Sequence, residues 1–212
     1  MALAGFLGKF SALTPRPARA RRALTGGSEG QGRIAFEVEH QLQTNWCWAA
    51  VSRSVVRFYD STSAWTQCAI VNAEFEHDTC CGDGGSDTAC NQPWYLDAAL
   101  QRVGWFRTMT STAASFESLE QEIAGGRPLC VRIGWSGGGG HFVAVAGWRV
   151  GTSGERYVDV EDPWHGRSQI LFEDFCERYQ GIGSWTHSYF TGAGAGGAPR
   201  LRATHDPSAI GG

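Results

Sequence analysis

A chain of 212 residues can build one sizeable domain or two small ones. With 42% hydrophobic and 12% aromatic residues, nine of them tryptophan, its middle should bury a real core. No apolar run approaches the roughly 18 residues that a spanning helix needs. Residues 1–33 carry six basic side chains against one acidic, and the remainder twelve against twenty. The acidic body therefore lacks the clustered basic surface that nucleic acid requires.

Residues 1–33, "MALAGFLGKFSALTPRPARARRALTGGSEGQGR", are small, basic and interrupted by Pro and Gly. Their apolar patch precedes the arginines, the reverse of a secretory signal. They are expected to form a disordered leader, serving export or targeting. Gly26-Gly27 within it looks like a double-glycine processing site, although glycine is abundant in this chain.

From residue 34 the texture changes. "RIAFEV" (33–38) reads as a short strand, and residues 47–59 as a helix with Trp48, Val51, Val55 and Phe58 on one face. After a loop, "NQPWYLDAALQRVG" (91–104) reads as a helix capped by Asn91, with Pro93 in its first turn and Gly104 as its stop. "SFESLEQEIAGG" (115–126) gives a third. "PLCVRIGW", "HFVAVAGWRV" and "RYVDVED" are strands between Gly-rich turns. "SQILFEDFCERY" adds a strand and a short helix, and "SWTHSYF" a closing strand. Helices first and antiparallel strands second give an α+β fold with two unlike halves over residues 34–191, followed by a Gly-rich linker and polar tail at 192–212.

The chemistry centres on "HQLQTNWCWAA". Cys47 stands at a helix N-terminus, where unpaired N–H groups and the helix dipole favour a thiolate. A nucleophilic cysteine also needs a base, an orienting partner and oxyanion donors. His141 opens a strand after "SGGGG", Asp162 ends the next strand in "VDVEDPWHG", and antiparallel pairing would bring these ends together. Gln41 lies six residues before Cys47. The rival reading of Asp162 is a turn residue before Pro163.

Gln, five residues, "CWAA" at a helix start, a distant "GH" and a polar residue after the next strand together resemble the papain-like cysteine protease superfamily. "NWCWAA", the later "QC" and "CC…CN" and the "DP" are closest to its bacterial branches. Those include peptidases that cleave double-glycine leaders and secreted effector proteases. The resemblance spans roughly residues 38–190. It implies Cys47 as nucleophile, His141 as general base and then acid, and Asp162 as the group orienting the imidazole. Gln41 and the Cys47 N–H would form the oxyanion hole, in a cleft between a helical half and a sheet half.

Trp46 and Trp48 are expected to wall the nucleophile and contact substrate. Gly139 and Gly140 should let a substrate backbone approach His141. The implied protein is a monomeric hydrolase of peptides or proteins that needs no metal or other cofactor, nucleic acid or membrane. Cys–His–Asp also serves amidase and acyl-transfer chemistry, and a non-catalytic binding or toxin module could keep the fold.

Four further cysteines, Cys68, Cys80, Cys81 and Cys90, fall close together. A bridge between neighbours would be strained, so Cys80 and Cys81 should each join one of Cys68 and Cys90. A zinc site with His77 is the rival, but the paired CxxC spacing is lacking. Disulfides fit an exported protein. Cys130 and Cys176 read as core.

Overall fold

The computed structural model describes residues 30–82, 85–193, 208, 210 and 211. Most of the expected leader, with Gly26-Gly27, and most of the tail lie outside the described residues. The chain opens with β1 (Gly30–Arg33), then α1 (Cys47–Tyr59), α2 (Gln67–Phe75), β2 (Trp94–Tyr95), α3 (Leu96–Arg102), β3 (Phe106–Thr110) and α4 (Phe116–Ala124). The second half runs β4 (Leu129–Trp135), β5 (Gly140–Val150), β6 (Arg156–Asp162), β7 (Gly166–Leu171), α5 (Phe172–Glu177), β8 (Gly183–Thr191) and β9 (Ile210–Gly211). The result is α+β, with a main sheet whose strand pairings are all antiparallel among the described residues.

The sheet runs β3-β8-β4-β5-β6-β7. β4 pairs with the first half of β5, and β1 pairs with residues 147–150 of its second half. Both faces are covered. Cys130, Phe142, Ala144, Ala146 and Tyr189 face the core shared with α1, α2 and α3, while Val131, Ile133, Val143 and Val145 face a second core containing Phe116 of α4 and Phe175 of α5. That is why "HFVAVA" is apolar at nearly every position instead of alternating: a strand buried on both faces has no polar side to show.

Several boundaries depart from the sequence expectation. The first described strand lies at Gly30–Arg33, upstream of "AFEV", so the sheet takes in the last four residues of the stretch read as leader. Arg33 fixes it there, donating to Asp159 at 2.7 Å and to the buried Glu161 at 2.8 Å. α4 packs on β5 and β1, away from the other early helices. α3 begins at Leu96, not near Asn91, because Trp94–Tyr95 are drawn into extended pairing with Ile210–Gly211. Those two residues place part of the expected tail within the fold.

α1 is buried along most of its length, continuously from Cys47 to Ser52 and again from Ser54 to Val56, as a helix enclosed by other elements must be. Trp46 precedes it without any side-chain cap, so its opening turn is left uncapped. α2, read as loop, starts conventionally: the Thr66 hydroxyl accepts from the Ala69 N–H at 3.2 Å.

The cysteines pair as Cys68–Cys81 and Cys80–Cys90, with Cα separations of 5.1 and 5.5 Å. All four thiols are thereby used, and among the described residues no group of three or more His, Cys, Asp or Glu is placed to hold a metal ion. Cys130 is buried in β4, and burial pushes its thiol far up; Cys176, half-buried on α5, is pushed up to about 11, first by burial and then by Glu173 and Glu177. No helix among the described residues is long and apolar enough to cross a membrane.

Candidate active site

Three elements carry the candidate reactive groups. α1 begins at Cys47, so its sulfur sits where the first N–H groups of a helix lack intrahelical partners. β5 presents His141 as its second residue, and its neighbour β6 ends at Asp162. The β5–β6 register pairs Ala144 with Glu161, which carries the two side chains to the same end of the sheet.

The imidazole joins them. His141 Nε2 lies 2.9 Å from Asp162 Oδ1, and the Cys47 side chain is near enough to the same ring to help raise its pKa. All three residues are buried, with Cys47 and Asp162 at 1% exposure and His141 at 9%. Burial opposes the charge on His141, but the Asp162 hydrogen bond and the interactions with Cys47 and the Asp162 charge outweigh it and raise the group to about 10.

Asp162 is held in place by more than the histidine. Its Oδ1 also accepts the Trp164 and His165 backbone N–H groups at 2.7 and 2.9 Å, and its Oδ2 accepts the Tyr179 hydroxyl at 2.6 Å. Burial works against the carboxylate, yet the His141 hydrogen bond and charge, Tyr179 and the His165 N–H lower it to about 2. The same residue is therefore both turn-former and histidine partner.

Aromatic groups enclose the pair. The Trp135 ring stacks on His141 at 6.1 Å and 17°, and also lies over Tyr179 at 6.4 Å. The indole thus lies alongside one face of the imidazole. Neither Trp135 nor Tyr179 stands out in the sequence. Their signal is positional only, one ending β4 beside the glycine run and the other following α5.

Gln41 is close by and buried at 3% exposure, its N–H bonded to the Pro163 carbonyl at 2.9 Å. Its side-chain amide turns back on its own chain, with Nε2 donating to the Gln43 and Thr44 carbonyls at 2.8 Å each. To reach an oxyanion, that nitrogen must release one of these carbonyls. Its Oε1 is buried without a partner among the described residues.

Trp46 and Trp48 require a correction. Both have no exposed surface, so neither offers substrate a face. Their indole N–H groups donate to the Cys90 and Gln92 carbonyls at 2.8 and 3.0 Å. They tie the start of α1 to the disulfide-bearing loop. Asn45 strengthens the same tie, its backbone N–H donating to the Asn91 side chain and its side-chain amide to the Asn91 carbonyl, both at 2.9 Å.

Gly140 is likewise corrected. It is buried, and the space a Cβ would fill is taken by the Arg132 guanidinium, not by a substrate path. Gly139 remains exposed, its carbonyl accepting from Arg132 at 3.0 Å.

The assembly thus provides a thiol at a helix N-terminus, an imidazole beside it, and a buried carboxylate hydrogen-bonded to the imidazole. That is the donor set of nucleophilic acyl chemistry. A family model described as "Peptidase_C39 like family" matches residues 33–187 of the chain, a span that takes in every one of these side chains. No curated protein matches it.

Proposed function

The chain belongs to the Peptidase_C39 like family, a cysteine peptidase grouping, and from that premise we propose that it hydrolyses peptide bonds through a thioester on Cys47. The observation that carries this reading is the buried His141–Asp162 hydrogen bond with the buried Cys47 side chain beside the same imidazole. His141 raised to about 10 is an imidazolium at neutral pH, the partner a thiolate needs.

The Cys47 thiolate attacks the carbonyl carbon, forming a C–S bond while the C=O electrons become an oxyanion. His141 gives its proton to the amine nitrogen as the C–N bond breaks. The imidazole, now neutral, takes a proton from water, whose oxygen attacks the thioester; the carboxylic acid leaves and the thiolate–imidazolium pair is restored. Asp162 orients the ring and stabilises its positive form. The Cys47 N–H donates to the oxyanion, joined by Gln41 Nε2 once it releases a carbonyl. No cofactor takes part.

The two disulfides favour an oxidising compartment, and the protein is read as exported. Trapping a peptidyl thioester by rapid quench and intact mass, on the wild type and on Cys47→Ser, tests the central step. Turnover of the same peptide by Cys47→Ser at the wild-type rate contradicts it.

A further inference from the structure

β9 lies between the two parts of the molecule that carry the reactive groups. On one side it pairs antiparallel with β2, Trp94 opposite Gly211 and Tyr95 opposite Ile210. β2 closely follows the Asn91–Gln92 loop that is bonded to Asn45 and Trp48, residues on either side of Cys47. On the other side it meets the strands leading to His141. Arg132 Nε donates to the Ile210 carbonyl at 2.9 Å, while the same guanidinium holds the Gly139 carbonyl, two residues before His141.

Gly211 is buried against Phe142, the residue after His141; a Cβ there would overlap the Phe142 ring. Phe142 is itself fully buried and hemmed in by Tyr189 at 5.7 Å, so it has little room to yield. Upstream, Ser208 Oγ lies 3.5 Å from His187 Nε2.

An extended segment joined to a strand edge by main-chain bonds, with one residue pressed on an aromatic floor, is the way proteins take peptides by strand addition. Here the chain's own residues do it, between the strand after the loop bonded to the start of α1 and the residue that follows His141. We propose that the strip formed by Trp94–Tyr95, Arg132 and Phe142 is a peptide-binding part of the cleft, and that β9 occupies it in cis and competes with substrate. The inference rests on the peptidase reading of the site.

A ladder of two residues is too short to be stable by itself. Tethering compensates, since a linked segment acts at an effective concentration of the order of millimolar. β9 is thus a removable occupant that an added peptide must outcompete.

The test uses the full chain carrying Cys47→Ser, so that binding is read without turnover, and a fluorescent peptide of sequence SAIGG read by anisotropy. Gly211→Val, or Ile210→Asp as a second variant, should dislodge β9. Binding is expected to tighten at least about tenfold over the parent. A peptide with valine in place of its first glycine should bind none of the three proteins. Backbone hydrogen exchange at Trp94–Tyr95 should speed up in both variants while α1 stays protected, which separates dislodgement from unfolding. SAIGG binding equally to the parent and both variants, or to none, overturns the inference. Because nothing here depends on catalysis, a dead enzyme that binds as expected overturns only the peptidase reading.

Discussion

Tyr179 donates its hydroxyl to Asp162 Oδ2 at 2.6 Å, on the carboxylate oxygen that His141 does not use. The phenol is raised by burial and by the Asp162 charge, so it remains a donor throughout the working range. Asp162 is thereby fixed from both ends, and with it the plane of the imidazole.

Tyr179→Phe keeps the ring and removes that one donor from a buried carboxylate. Chemical denaturation should show a loss of about 1–3 kcal/mol. The Asp162 carboxyl should rise from about 2, moving the acid limb of the pH–rate profile upward. An unchanged limb in a folded variant would mean that Tyr179 serves packing alone.

The pH dependence follows from the direction of each shift. His141 is raised from 6.5 to about 10, so the stability its charge contributes is complete below pH 6.5 and is lost as pH rises through about 10. Asp162 is lowered from 3.8 to about 2, so its contribution is present above pH 3.8 and is lost as pH falls through about 2. Thermal melts should therefore show both contributions between these limits and lose one at either end. Peptide hydrolysis should fail on the alkaline side as His141 loses its proton. A rate still rising past about pH 10 would contradict the assignment.

The disulfides fix the loop that receives the Trp46 and Trp48 indoles, with closures separated by 13 and 10 residues. Non-reducing peptide mapping should join Cys68 to Cys81 and Cys80 to Cys90. Removing either bridge should cost about 3 kcal/mol by chain entropy and shift tryptophan emission to the red. Mapping Cys68 to Cys80 instead would contradict the structure.

If Gln41 supplies an oxyanion donor, Gln41→Ala should lower kcat by about 10²-fold with KM little changed. Loss of stability at constant kcat would instead confine Gln41 to holding the turn through Gln43 and Thr44.

The residues proposed as reactive are legible in the sequence because each carries a local mark: Cys47 by its helix start, His141 by the glycine run before a strand, Asp162 by its strand end. The partners that tune them are not. Tyr179 and Trp135 reach the site from other elements, and nothing in their own neighbourhoods distinguishes them from core aromatics. Trp46 and Trp48 mislead for the opposite reason, since adjacency in sequence to Cys47 does not put a side chain on the same side of the helix start. α3 loses its first turn to a pairing with residues more than a hundred positions away, a long-range effect no capping signal can report. α2 lacks a polar face to set its period, although Thr66 does mark its start.

The central claim is that Cys47 and His141 form a reactive pair. Its most direct test is electrophile labelling of the full chain at about pH 5.5, where ordinary thiols are almost wholly protonated. Intact mass and site mapping would compare the wild type with His141→Ala. The account predicts rapid single labelling at Cys47 that is lost in the variant. Labelling of Cys47 at the same rate in both proteins would contradict it.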